Sequence, residues 1–182
     1  NKNNIEIIST GSTAKHIKKI GYHCYEVSSF TKFKEILDGR VKTLHPLIHA
    51  SLLFDRKNKN HLNLFNKLNF PEINFVIVNL YPFEETAMTT SNKQKCIDMI
   101  DIGGVSLLRS AAKNFHYVTT ISNIDDYPIF IKNFKKNFGK TSLIFRKKMA
   151  AKVFGLTSSY DNLIFNRLKK NYLNIKIINH EK

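Results

Sequence analysis

The run Phe75-Val76-Ile77-Val78, fenced by Pro71 before it and Tyr81-Pro82 after it, constrains the fold of this chain more than any other stretch. A strand with one wet face alternates polar and apolar residues; this run has no polar member, so both of its faces need cover. Helices on either side of a parallel sheet supply that cover. The neighbouring segments fit. Ile5, Ile7 and Ile8 form a β-branched run that ends in Ser9-Thr10-Gly11-Ser12-Thr13, and residues 14–20 carry two helical turns that stop at Gly21. Residues 24–27 fit a second strand, and Phe33, Ile36 and Leu37 make a short apolar stripe ending at Asp38-Gly39. Helices are predicted over residues 44–54 and 62–68. After a polar loop at 86–92, Ile97–Ile100 leads into Asp101-Ile102-Gly103-Gly104, and a helix is predicted over 105–113. A strand at 117–121 and helices at 125–138 and 141–168 complete the chain, with Gly155 as the candidate kink of the last. Such alternation predicts an α/β domain of three layers: a mainly parallel sheet flanked by helices, with a helical C-terminal portion. Ligands of such sheets bind in the crevice at the carboxyl ends of the strands.

At 182 residues, 42% of them hydrophobic, the chain has the dimensions of one globular domain, and no run of about 18 apolar residues is present to cross a bilayer. Cys24 and Cys96 lack zinc-type neighbours and cannot build a disulfide framework, which points to the cytoplasm. The opening Asn1-Lys2-Asn3-Asn4 carries no apolar signal segment, and the chain reads as a piece of something longer. A net charge of +15 invites a nucleic-acid partner. The composition points elsewhere, because Lys, Asn and Ile, which share A/T-rich codons, make up 65 of the residues, and only five of the 29 basic residues are Arg. Thirteen basic and two acidic residues fall within 132–182, between Phe134, Phe138, Leu143, Met149, Val153 and Phe154, as on the solvated faces of helices. Without the Arg clusters and stacking aromatics of dedicated readers, neither nucleic acid nor membrane is taken as a partner.

Four loops can carry chemistry. Thr10, Gly11, Ser12 and Thr13 offer small residues, hydroxyls and free amides at a helix start, which suits a phosphate and equally suits a plain N-cap. Arg40 and Lys42 alternate with Val41 and Thr43, so both cations can face one side of an extended segment; an exposed basic loop is the alternative. His45 and His49 follow at helical spacing, but no Glu follows His45 and no further ligands are apparent, so packing or capping is expected and no metal site. Asn79 and Tyr81 directly follow the buried run, where their polar groups need partners that a ligand or water could supply. Asp101, Ile102 and Gly103 lead into a helix bearing Arg109 and Lys113 on one face, like charges whose spacing costs a few tenths of a kcal/mol. Glycines there let a ligand approach backbone amides, while Asp101 as a simple cap stays open.

In order, Ser-Thr-Gly-x-Thr-Ala-Lys, Leu-Asp-Gly-Arg-Val-Lys-Thr-Leu-His-Pro, Val-Asn-Leu-Tyr-Pro-Phe and Asp-Ile-Gly-Gly-Val-x-Leu-Leu-Arg-x-Ala-Ala-Lys-Asn resemble the IMP cyclohydrolase domain of bifunctional AICAR transformylase/IMP cyclohydrolase, an enzyme family of purine biosynthesis. Phe154, Thr157, Tyr160 and Asp161 match that family's later Phe-x-x-Thr-x-x-Tyr-Asp element, so the resemblance runs from Ile5 to Leu168. It implies a methylglyoxal-synthase-like, Rossmann-like fold that closes 5-formamido-imidazole-carboxamide ribotide (FAICAR) to IMP with loss of water. It further implies a homodimer, and no cofactor for cyclisation; 10-formyltetrahydrofolate belongs to the transformylase domain, absent here. By the same resemblance Lys42, Tyr81, Asp101 and Lys113 handle protons. Thr10–Thr13 and Arg40–Thr43 hold the phosphate and neighbouring atoms, while Val78, Asn79 and Asp101–Gly103 border the base. Residues 1–170 would form the domain, lacking the family's first strand and helix, and 171–182 a tail toward the transformylase. Ser12, Leu47 and Ala50-Ser51 depart from the usual residues. Two alternatives share the fold: a methylglyoxal-synthase-like lyase, whose Gly-Gly-Asp-x-Gln segment is missing where Arg40–Thr43 stands, and a non-catalytic nucleotide-binding regulatory domain.

Overall fold

The structure, a computed structural model, describes residues 5–81, 83 and 92–171. Its elements in chain order are β1 (Ile8–Ser9), α1 (Gly11–Lys19), β2 (Tyr25–Glu26), α2 (Val27–Thr31), α3 (Pro46–Leu53), α4 (Lys59–Lys67) and β3 (Phe75–Ile77). Then come α5 (Lys93–Asp98), α6 (Gly103–Lys113), β4 (Thr119–Ile121), a 3₁₀ turn at Ile124–Asp126, α7 (Tyr127–Lys136) and α8 (Leu143–Asn171). The polar loop expected at 86–92 lies, except for Asn92, outside the described residues, as does the tail beyond Asn171.

Among the described residues the four strands pair in parallel, as expected, but they form two pairs rather than one sheet. Ile8 stands opposite Tyr25 and Ser9 opposite Glu26, while Phe75, Val76 and Ile77 face Thr119, Thr120 and Ile121. Strands of two or three residues leave little edge for a continuous ladder, and side chains join the pairs instead. Ile8 of β1 packs with Val76 of β3, Val27 of α2, Ile48 and Leu52 of α3, Ala111 of α6 and Val118 in one apolar cluster. Val78 packs against this cluster and against a second one of Leu108, Ala112, Ala150 and Val153.

The helix α8 earns its position by periodicity. Phe145, Met149, Ala150, Val153, Thr157 and Tyr160 are all buried, a stripe at helical spacing along one face, each large apolar member contributing about 1.5–3 kcal/mol of burial. Gly155 lies on the open side of this unbroken helix and produces no interruption. Two further expectations are corrected, and one stretch left unassigned in the sequence becomes helix. Val27 begins α2 instead of ending a strand: Glu26, still extended, is the N-cap, and Thr31 Oγ1 donates back to the Val27 carbonyl at 2.9 Å. Residues 97–98 belong to α5, whose first turn Asn92 caps. The stripe Phe33, Ile36 and Leu37 is exposed. Lys32, Leu37, Asp38 and Gly39 all have positive φ, and Ile36 pairs antiparallel with Val41, so the segment is a tight reversal instead of a packed face.

Candidate active site

That reversal delivers Arg40–Thr43 to the start of α6. Arg40 Nη2 meets Asp98 Oδ1 at 3.0 Å, tying the segment to the end of α5. A Cβ placed on Gly103 would lie 2.7 Å from Thr43 Oγ1, so the threonine packs directly on the first residue of α6 and would have to shift for any larger residue. Lys42 folds back over Gly39: a Cβ there would be 3.6 Å from Lys42 Nζ and 3.5 Å from Glu35 Oε2. The ammonium and the Glu35 carboxylate therefore flank the same glycine.

Asp101 stands at the same helix end. Its Oδ1 accepts from the Gly104 N–H at 2.7 Å, a charge-assisted bond to an amide that has no partner within the helix. The capping role left open in the sequence is thus filled, and it leaves Oδ2 without a hydrogen bond among the described residues. The Asp101 N–H donates to the Tyr160 hydroxyl at 2.9 Å.

Beside this junction opens a cleft of about 500 Å³ lined by Leu44, His45, Pro46, His49, Ser106, Arg109 and Ser110. His45 Nδ1 caps α3 by accepting from the Leu47 N–H at 3.2 Å, and His49 Nδ1 lies 2.9 Å from Ser110 Oγ. Burial lowers the His49 pKa from its ordinary value, opposed by its interaction with the Thr43 backbone. Both histidines serve the packing of α3, and no group of three or more His, Cys, Asp or Glu among the described residues could hold a metal ion. Arg109 stacks over Phe154 at 5.4 Å and donates weakly to Thr157 Oγ1 at 3.4 Å.

The other predicted residues are placed as follows. Thr10 precedes α1 without a side-chain cap bond, and Gly11, Ser12 and Thr13 are exposed, Gly11 with φ +48°. Val78 is half-buried, its N–H donating to the Ile121 carbonyl at 3.0 Å, and Asn79 is exposed. Tyr81 and Ile102 are 57% and 58% exposed, side chains left to solvent at the mouths of their loops. The loops after β1 and β3 leave the same apolar cluster, through Ile8 and Val78. Lys113 is the exception. It ends α6, roughly 15 Å along the axis from Gly103 at about 1.5 Å per residue, so it stands apart from Asp101 of the same chain. Sequence reasoning also passed over Glu35, Asp98 and His49 as supports of the Arg40–Thr43 segment. Glu35 and Asp98 are ordinary surface acids in sequence, and only the His49 spacing drew notice.

Residues 1–106 match the family model described as MGS-like domain, and residues 111–181 match that of the AICARFT/IMPCHase bienzyme. The chain is 48% identical over 162 residues to the bifunctional purine biosynthesis protein PurH of Clostridium botulinum, covering 89% of this chain and 32% of that protein. It is 48% identical over 160 residues to PurH of Fusobacterium nucleatum, covering 88% and 32%. The chain thus spans about a third of the length of the curated relatives it matches. The crystal structure of ForH superposes with a TM-score of 0.79 at 24% identity, over 92% of this chain and 87% of that one, a likeness of fold. With more than half of its length under the first family model, and with parallel strands flanked by helices, the chain belongs to the MGS-like domain family.

Proposed function

We propose that the chain is an IMP cyclohydrolase domain, closing FAICAR to IMP with loss of water as the last step of purine biosynthesis. The observation that carries this is the packing of Thr43 on Gly103, which joins two of the ordered motifs at the helix end where Asp101 also holds the Gly104 amide. The match of residues 111–181 to the bienzyme family and the PurH relatives support the same choice.

The substrate's carboxamide nitrogen is a weak nucleophile, its lone pair delocalised, and it must attack the formyl carbon of its own molecule. A C–N bond forms, the formyl oxygen becomes the oxygen of a tetrahedral carbinolamine, the nitrogen gives up a proton, and water leaves as the ring gains its double bond. Since both reactants share one molecule, much of the roughly 7–11 kcal/mol available from proximity is already present in the substrate. The protein must select the reactive rotamer, steady the developing oxygen charge and move protons. In this scheme Lys42 and Tyr81 hydrogen-bond the oxygen. Asp101 Oδ2 accepts from the amide and orients it. Thr10, Gly11, Ser12 and Thr13 with Arg40, Val41 and Thr43 take the phosphate side, and Val78, Asn79, Ile102 and Gly103 border the base. Lys113 serves as a proton carrier only from a second copy of the chain, which is consistent with a homodimer, because α6 holds it away from Asp101 of its own. Cyclisation in this scheme uses no cofactor and takes place in the cytoplasm.

Direct spectrophotometry of FAICAR closure tests the assignment, with IMP as the expected product. Methylglyoxal released from dihydroxyacetone phosphate would favour the lyase, and IMP binding without turnover would favour a regulatory domain.

A further inference from the structure

We propose that Tyr160 is a positioning residue that holds the Tyr81 and Asp101 loops in register, making α8 a working part of the site. The inference rests on the reading of those two residues as site groups. Tyr160 is 6% exposed and ends the buried stripe of α8. Its hydroxyl accepts from the Asp101 N–H at 2.9 Å and donates to the Met99 carbonyl at 3.4 Å, so both partners belong to the backbone of one turn. From that turn springs the Asp101 carboxylate, whose Oδ1 is held by the Gly104 N–H. The ring edge packs on Phe83, with centroids 6.0 Å apart, and the Phe83 N–H donates to the Tyr81 carbonyl at 2.8 Å. One side chain thus touches both loops, one through its hydroxyl and the other through its ring.

A buried hydroxyl needs partners wherever it lies; that of Thr157, carried on Cβ, finds one within α8 at the Phe154 carbonyl, whereas a phenol at the tip of a ring reaches past its own helix. Tyr160 instead spends its donor and its acceptor on a turn 59 to 61 residues away. Only the neutral phenol can donate and accept together, and burial, the largest influence, raises the Tyr160 pKa and keeps it neutral. The contact also bridges the two regions that match separate families: Asp101 lies in the MGS-like part and Tyr160 in the part matching the bienzyme.

The test compares Tyr160→Phe with Val153→Ala, a cavity in the same stripe that leaves the turn untouched. Tyr160→Phe keeps the ring on Phe83 and removes only the hydroxyl. Hydrogen exchange of the Gly104 amide, measured without substrate, should quicken about tenfold or more in Tyr160→Phe relative to Val153→Ala at matched global stability. The turnover of FAICAR should fall by about tenfold, with KM and IMP affinity changed less than about twofold. Equal Gly104 exchange in the two variants, or a Tyr160→Phe turnover equal to wild type, overturns the inference. A wild-type chain that forms no IMP would instead sink the functional reading, while the exchange measurement would still judge the role of Tyr160.

Discussion

Adding one methyl group at Gly104 puts the Asp101 carboxylate under direct test. A Cβ at this position lies 2.5 Å from Asp101 Oδ2 and 3.0 Å from both Cγ and Oδ1. Gly104 is helical and has no positive φ, so alanine costs nothing in backbone conformation, and its helix propensity favours it by about 0.8–1 kcal/mol. Against that stands the bond from the Gly104 N–H to Oδ1 at 2.7 Å, worth about 1.5–3 kcal/mol as a bond to a charged group. For ordinary contact at 3.4 Å the Oδ2 atom must retreat by about 0.9 Å, which breaks or bends that bond. Gly104→Ala is therefore expected to lose about 0.5–2 kcal/mol in urea denaturation. Turnover should drop on the order of 100-fold, since a displacement near 1 Å of a reacting group has that effect. Gly155→Ala is the matched control: no atom lies within 4 Å of its Cβ, so about 0.5–1 kcal/mol of added stability and unchanged turnover are expected. A Gly104→Ala protein that is stabilised like Gly155→Ala and cyclises FAICAR at the wild-type rate would refute the role given to Asp101.

Arg40→Ala should change stability by less than about 1 kcal/mol, because its ion pair with Asp98 has side chains 70% and 43% exposed, yet weaken IMP binding markedly in calorimetry. Equal IMP affinity would remove Arg40 from the substrate side. His49 has its pKa lowered by burial, so its contribution to stability is present above the unfolded value of 6.5 and is lost as pH falls through the lower folded value. Melting temperature should accordingly drop more steeply on acidification below about pH 6.5 in the wild type than in His49→Gln. Parallel pH profiles would show that His49 is not the linked group.

What could be read in the sequence was local. Phe75–Ile77 is a strand because an unbroken apolar run bounded by prolines has few other fates, but the cover expected on both faces reaches only Val76, Ile77 being 49% exposed; α6 was legible from its glycines, leucines and alanines down to a shift of two residues at its start. The separation of the strands into two pairs was not legible, since it depends on which side chains fill the space between β1 and β3. The exposed Phe33, Ile36 and Leu37 looked like a packed stripe, because apolar character alone cannot reveal a reversal made with positive φ at Leu37 and Asp38. The distance between Asp101 and Lys113 was readable, by contrast: twelve positions, most of them in one helix, cannot converge. The bond from Asp101 to Tyr160 joins residues 59 apart and leaves no trace in local pattern.

The central claim is that the loops at Thr10–Thr13, Arg40–Thr43, Asn79–Tyr81 and Asp101–Gly103 serve a single ribonucleotide. Titrating IMP into isotope-labelled protein and following the amide resonances tests it most directly. The expected result is that amides of all four loops shift along one saturation curve, with those of α4 and α7 unmoved. Shifts confined to one loop, or separate curves for different loops, would contradict it.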